Sequence, residues 1–550
     1  MSKNKSYPIK TLLKNSLIGK YEILFSLVFA AILALGHLLV TYVDIDVRDI
    51  GTRLAFGYIG TFIITWGIVL FVFALIKRWH LNKSNVSGPV FLGSFSDKKL
   101  WLLTSLGIFI CYLPLIFMII SVLTPDSWNT MGQITGDVQL SNGNPLIFTA
   151  LASIFVHIGL LFGSLELGTL FFSLAQSAIL AMIFARVIVW MRQEKIGTYG
   201  IIATLIFYAI LPINAVAGTI MWKDILFAGF ALLFLILLRK LYIEKNAFFT
   251  RKNVAHFIIL AFLFCTLRNN GLYAYVLFFV LILIINYRTI FNIRVLSLLL
   301  TPILIAVTYL SLIQLIATPT TASYALMCVP MQQIARAVKY ERAALSADDK
   351  KTINEILPVD KLAEIYNPNL SDPVMSSFNG KVFDEDKAKY LGLWLKLLSE
   401  HPKTFIAATL YNTYGYVYPF RISPTTTDTI MNNSVHPNAF KSYSDSAYVD
   451  GNKQAVGAYS ATISSLFPVI HNIGFYTFML LLAIYIAIIR KKRELTAVFV
   501  ILFALFVSTI LGPVNGEFRY LYLFVVALPF VLASVYASNE IKKSRQTKKS

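Results

Sequence analysis

Long apolar runs separated by short, mostly basic breaks repeat along nearly the whole chain, and only the stretch from Thr318 to Ser465 is free of them. An α-helix rises about 1.5 Å per residue, so roughly 20 apolar residues cross the roughly 30 Å hydrocarbon core of a bilayer. The pattern predicts twelve spans, at 21–43, 53–76, 100–123, 170–191, 200–218, 224–243, 254–268, 271–287, 295–317, 466–489, 495–513 and 519–538. One further apolar stretch, Leu146 to Phe162, is ambiguous.

Charge decides how that stretch is used. If it crossed the membrane, the basic clusters Arg239 to Lys252 and Arg490 to Arg493 would fall on the opposite side from Lys77, Arg78, Lys98 and Lys99. Basic residues favour the cytoplasmic side, so 146–162 is expected to be an interfacial or re-entrant helix. Both termini are then cytoplasmic and residues 318–465 face outward from the plasma membrane. The expected organisation is an N-terminal transmembrane domain (1–317) with an outward loop at 124–145, an extracytoplasmic insert (318–465), a C-terminal transmembrane part (466–538) and a basic tail (539–550).

Composition changes little in this picture but removes one alternative. The 550 residues are 57% hydrophobic and 14% charged, which marks a polytopic all-α membrane protein. The net charge of +20 resembles a nucleic-acid footprint until it is located: the insert holds 14 basic and 14 acidic residues, so the excess lies in the membrane part. Nucleic-acid binding is thereby excluded as a reading. Cys111, Cys265 and Cys328 leave only one cysteine in the insert, too few for a disulfide framework there. The Lys-rich arm from Lys3 to Lys20 precedes a full-length span and has no clear cleavage site, so no signal peptide is expected.

The insert reads as mainly α-helical. Helices are expected over Ala343–Ile365 and Asp384–Leu398, with Ser346, Asp348 or Asp384 as caps, and a long loop over Ser423–Gly457. The aromatic run Tyr411, Tyr414, Tyr416, Tyr418 and Phe420 suits stacking on sugars or, more commonly, packing onto the membrane part.

Candidate chemistry lies in the outward breaks. The loop from Thr124 to Pro145 has no Lys or Arg and carries Asp126, Asp137, Gln133, Asn144 and Trp128. A carboxylate there can take a proton from a hydroxyl, and amides can orient a polyhydroxylated ligand. The same residues also read as a connecting loop in which Thr124, Pro125 and Asp126 merely start a helix. Trp222, Lys223 and Asp224 open a span with an ion pair, and Arg268, Asn269, Asn270 and Gly271 form a sharp turn bearing a cation. Glu517 and Arg519 open the last span. Each cation serves equally as a helix anchor or as a partner for an anionic lipid headgroup. No phosphate-loop, HExxH, GxSxG or metal-spaced Cys/His pattern occurs, and the seven histidines are scattered. A divalent cation requirement is left open.

In order along the chain, Pro125, Asp126, Gln133, Asn144 with Pro145, Trp222 to Asp224 and Arg268 to Gly271 resemble a bacterial family of membrane proteins of the GT-C glycosyltransferase class. The Tyr-Gly-Tyr at 414–416 with Pro419, and Arg519 with Tyr520, extend the likeness more loosely. Two departures stand out: Asp126 is followed by Ser127 where relatives often have a second acid, and Asn144 stands where a histidine is expected. The resemblance implies a GT-C-like fold and a polyprenyl-phosphate-linked sugar as donor. It further implies Asp126 as catalytic base, Lys223, Arg268 and Arg519 on the lipid phosphate, and Gln133, Asn144, Asp224, Asn269, Asn270 and Asp137 in support.

The expected function is therefore sugar transfer onto a cell-surface polysaccharide or teichoic-acid-like cell-wall polymer at the outer membrane face. The competing readings are a flippase or transporter of lipid-linked sugars, and a polysaccharide polymerase or ligase. Transporters commonly show related halves, and the first six predicted spans do not repeat in the last six.

Overall fold

Residues 18–46, 52–82, 95–119, 123–285, 292–317, 327–420 and 468–537 are described in a computed structural model. The described residues are helical, with two isolated bridges, Asn367 to Leu370 and Leu370 to Val514, as their extended pairings. The helices up to the insert are α1 (Lys20–Thr41), α2 (Thr52–Asn82), α3 (Asp97–Ile119), α4 (Pro125–Thr135), α5 (Leu146–Leu161) and α6 (Leu165–Gln193). They continue with α7 (Thr198–Ile210), α8 (Pro212–Thr219), α9 (Lys223–Glu244), α10 (Arg251–Thr266), α11 (Gly271–Ile285) and α12 (Ile293–Ile313).

Eight of the described helical segments are long and apolar enough to cross a membrane, nine if the bent pair α7 and α8 forms one span. The protein is a multi-pass α-helical membrane protein. The expectation of twelve is met only in part, for a physical reason. Among the described residues, the runs expected at 254–268, 271–287 and 466–489 are helices of 16, 15 and 17 residues, which at about 1.5 Å per residue fall short of a roughly 30 Å core. The run expected at 200–218 bends by 44° at Pro212, whose ring cannot continue a straight helix.

The bundle is layered by burial. The segment Phe518–Tyr536 is the centre, with 83% of its most apolar stretch buried, whereas Ala55–Trp79 within α2 is 6% buried and packs chiefly on α1. The apolar stretch at 146–162 forms a helix of its own, α5, which packs on α6. Gly159 makes this possible, because a Cβ there would overlap the backbone at Gly168. The C-terminal end of α5 exposes Leu161 and Phe162.

The described part of the insert contains α13 (Cys328–Glu341), α14 (Ala347–Ile356), α15 (Val359–Ile365), α16 (Asp372–Ser376), α17 (Gly380–Glu385), α18 (Lys387–Glu400) and α19 (Pro402–Thr413). The single helix expected over 343–365 is two, separated at Leu357 and Pro358. Ser346 caps the first, accepting from the Asp349 amide at 3.0 Å. Asp384 is not a cap; Asp386 does that work for α18, accepting from the Lys389 amide at 3.0 Å. The insert has its own apolar core. After it come α20 (Ile473–Ile489), α21 (Thr496–Ile510) and α22 (Tyr522–Tyr536). The Lys-rich arm, the loop expected at 423–457 and the basic tail lie outside the described residues.

The insert sits on one end of the bundle. Fully buried Arg336 of α13 reaches Asp44, just beyond α1, at 2.8 Å and donates to the Ile45 carbonyl at 2.6 Å. The aromatic run serves packing: Tyr418 lies against Gly36, where a Cβ would overlap its ring, and the Tyr416 hydroxyl donates to the Val514 carbonyl at 2.7 Å. At the opposite end Glu22 meets Lys77 at 3.0 Å and the Tyr485 hydroxyl at 2.9 Å. Arg239 meets Glu194 there at 2.9 Å, and Arg192 meets Asp97.

Candidate functional site

The site begins with a broken helix. Between α8 and α9 the chain runs extended through Ile220 and Trp222, freeing carbonyls that lipid could not satisfy. Gln176 of α6 supplies donors, reaching the carbonyls of Ala217, Gly218 and Ile220 at 3.0, 3.2 and 2.7 Å. Ser173 donates to Thr219 at 3.3 Å. The break is thus held rigidly, and Lys223 starts α9 at a fixed place.

The loop expected at 124–145 is half helix. Thr124 is the N-cap of α4 and Pro125 its first residue, the positions those residue types favour. The Thr124 hydroxyl also accepts from the Trp222 indole at 2.7 Å, and the Ser127 hydroxyl donates to the Met221 carbonyl at 3.0 Å. These contacts set Asp126 beside Lys223. Asn144 completes the frame: its amide nitrogen donates to the Asp126 carbonyl and to Thr130, both at 3.0 Å, and its amide oxygen accepts from Lys223 at 2.6 Å.

One oxygen of the Asp126 side chain then holds two cations. Arg519 donates to it at 2.7 Å and the Lys223 ammonium stands 3.6 Å away. Burial by itself would raise this carboxyl; Lys223 and Arg519 prevail and hold its pKa at about 2. Yet 41% of the Asp126 side chain remains open, with 16% of Lys223 and 19% of Arg519. A carboxylate surrounded by protein and still accessible is what a cleft produces.

Arg268 behaves differently from its expected role on the lipid phosphate. It is 6% exposed, paired with Asp224 at 3.1 Å, and donates to the Tyr520 carbonyl. Its guanidinium and that of Arg519 stand 5.3 and 5.2 Å from the Tyr520 ring, and Arg519 also lies 4.8 Å from Trp222. Arg268 therefore fixes the turn that carries Arg519, and Asp224 fixes Arg268. Glu517 stands 3.8 Å from Arg519.

The supporting residues divide. Asn269 donates to the Gly143 carbonyl at 2.9 Å and joins the turn at 268–270 to the α4–α5 connection. Asn270 donates to Ser508 at 3.2 Å, away from the cations. Gln133 accepts from the Ser141 amide at 3.3 Å and folds the connection back on α4. Asp137 is exposed, accepts from Thr135 at 2.6 Å and does not join the cluster. Among the described residues no group of three His, Cys, Asp or Glu side chains is arranged to hold a metal ion.

Asp372 is not among the site residues expected from the sequence. The run Asn367-Pro-Asn-Leu-Ser-Asp-Pro373 leaves the insert to dock on the segment before α22. The Ser371 amide and hydroxyl donate to the Pro513 carbonyl at 2.8 and 3.0 Å, and Asn515 donates to Asn369 at 2.9 Å from its amide nitrogen. Asp372 thereby comes within the electrostatic reach of Arg519 and Asp126. The density of Pro and Asn was the available signal, since it marks a structured turn between helices.

Fold and cluster together define a polytopic α-helical membrane protein with an ionised, cleft-lining site at one end of its bundle. The profile of DUF6020, described as a family of unknown function, matches residues 135–549, and the chain belongs to that family. No curated protein and no solved structure matches the chain.

Proposed function

We propose that the protein is a GT-C-type glycosyltransferase of the plasma membrane, moving a sugar from a polyprenyl phosphate to a cell-surface glycan or cell-wall polymer. The observation that carries this reading is the pair Lys223 and Arg519 sharing one carboxylate oxygen in an open cleft. Two cations already spaced to hold one oxyanion can hold a phosphate oxygen, and charge-assisted contacts of this kind are the stronger hydrogen bonds.

Asp126 then has two successive roles. In the empty site it is the anion on the two cations, and with both in place it is too weak a base to attract a hydroxyl proton. A donor phosphate competes for Lys223 and Arg519, and as they turn to it the carboxylate regains basicity. The acceptor hydroxyl oxygen bonds to the anomeric carbon while the bond from that carbon to the phosphate oxygen breaks. The electron pair leaves with the polyprenyl phosphate, stabilised by Lys223 and Arg519, and the hydroxyl proton passes to Asp126. A single displacement inverts the anomeric carbon.

Binding of undecaprenyl phosphate to the full-length protein in nanodiscs tests the exchange. Lys223→Gln and Arg519→Gln are each expected to weaken it by about 10- to 100-fold, the worth of a charge-assisted contact. Asp126→Asn, which removes the competing anion, is expected to tighten it by about fivefold, since half-exposed ion pairs contribute up to about 1 kcal/mol. Unchanged affinity in both cation variants sinks the reading.

The same reading places the insert and the cleft outside. Basic residues 239, 240, 245, 251 and 252 gather by the opposite end, as the charge rule requires of the cytoplasmic side. In a variant without Cys111, Cys265 and Cys328, a cysteine at exposed Lys381 should react with an impermeant reagent on whole cells. One at exposed Asn246 should react only after the cells are opened.

A further inference from the structure

Every charged side chain of the cleft but one is already engaged. Asp126 holds Lys223 and Arg519, Asp224 holds Arg268, and Glu517 faces Arg519. The exception is Asp372. Its backbone carbonyl accepts from Ser376 at 2.8 Å, but among the described residues its carboxylate makes no hydrogen bond and no ion pair, and the side chain is exposed. The docking of residues 369–371 on Pro513 and Asn515 leaves it little freedom to move away.

The origin of Asp372 separates it from the rest. The cations and Asp126 come from helices and turns of the membrane part, where a lipid-borne donor arrives. Asp372 comes from the insert, the polar part of the chain without spanning helices, from whose side a hydrophilic acceptor would come. An ionised carboxylate only accepts hydrogen bonds, and it offers two oxygens for adjacent hydroxyls. It cannot bind a phosphate, so it would not compete for the donor.

We infer that Asp372 is the acceptor-binding residue of the site: its unpaired carboxylate accepts hydrogen bonds from hydroxyls of the incoming glycan and holds the reacting one toward the donor sugar. The inference rests on the transferase reading above. It assigns acceptor choice to the insert and donor choice to the membrane part. Arg519 and Asp126 both act electrostatically on this carboxyl, the first favouring and the second opposing its charge. A carboxylate in the first turn of a helix also stabilises the helix modestly, and the test must separate the two roles.

The experiment uses a strain lacking the gene, complemented with full-length variants. Its readout is the envelope sugar that disappears on deletion and returns with the wild-type protein, measured by compositional analysis against the amount of folded protein. Undecaprenyl phosphate binding is measured on the same variants after purification. Asp372→Ala should restore at least about tenfold less sugar, the loss expected when hydrogen bonds to a charged group are removed. Asp372→Asn, which keeps one accepting oxygen, should stay within about threefold of wild type. Both should bind undecaprenyl phosphate as the wild type does. Full restoration by Asp372→Ala overturns the inference, and so does a loss of lipid affinity or folded yield in that variant. An Asp372→Asn protein as poor as Asp372→Ala overturns it too. If deletion removes no envelope sugar, or Lys223→Gln and Arg519→Gln bind lipid normally, it is the transferase reading that fails, a result distinct from an inert Asp372→Ala in a working system.

Discussion

The two ends of the bundle use the same residue types to opposite effect. At the end away from the insert, Glu22 is buried with Lys77, Tyr485 and the Gly19 amide, and Glu194 is buried with Arg239, whose guanidinium stacks on Trp190. Glu22 and Glu194 are closed off by their own partners, whereas Asp97, paired with Arg192 at the same end, stays open on the surface. At the insert end Asp126 shares one oxygen between two cations and keeps much of its surface open. A closed pair spends its charge on fixing helices, whereas an open, shared carboxylate leaves charge within reach of a ligand. Arg268 with Asp224 shows that position alone does not decide this, because a closed pair stands directly behind the open one.

The sharpest way to break the comparison is to remove charge from the open group. Asp126→Asn should lower sugar transfer by about 10² to 10⁴-fold, the range for loss of a general base, while leaving the unfolding temperature in detergent nearly unchanged. A large fall in stability with transfer intact per folded molecule would put Asp126 among the anchors. Next come the closed pairs, where the opposite balance is expected. Arg239→Gln and Arg268→Gln each leave a buried carboxylate uncompensated, which costs about 3–5 kcal/mol; both should unfold at markedly lower temperature. Folded Arg239→Gln should still bind undecaprenyl phosphate as tightly as wild type, since Glu194 is far from the cleft.

The smallest effect is a pH dependence. The folded pKa of Asp126 lies below its unfolded value of 3.8, so its ion pairs stabilise fully above that value and lose their contribution as pH falls through about 2. The difference in unfolding temperature between wild type and Asp126→Asn should therefore stay constant from pH 7 to about 4 and shrink below it. A difference that fades between pH 7 and 5 would mean that the two cations do not hold the carboxylate as described.

The sequence revealed the membrane class and the pieces of the site for one reason: charge in an apolar setting stands out. Asp126, Lys223, Arg268 and Arg519 each interrupt or border a hydrophobic run, and the structure brings all four within one cluster. What could not be seen was which anion each cation would meet. Lys223 and Arg268 look alike as single cations at outward turns, yet one faces the cleft and the other is sealed against Asp224. Asp372 was invisible for the complementary reason, since an acid within a polar, neutral insert has no background against which to be noticed. The turn at Arg268–Gly271 was legible, but not that the described helices on either side of it, Arg251–Thr266 and Gly271–Ile285, are shorter than a full span.

The dispersal of the cleft along the chain also sets when it can exist during synthesis. Asp126 and Lys223 emerge early, Asp372 comes next with the insert, and Arg519 follows only after α20 and α21. A partly made chain accordingly holds Asp126 beside Lys223 alone, without the guanidinium that completes the oxyanion site. The charge cluster is thus completed only by the last segments of the chain, so a copy truncated before Arg519 would lack one of the two cations that hold Asp126.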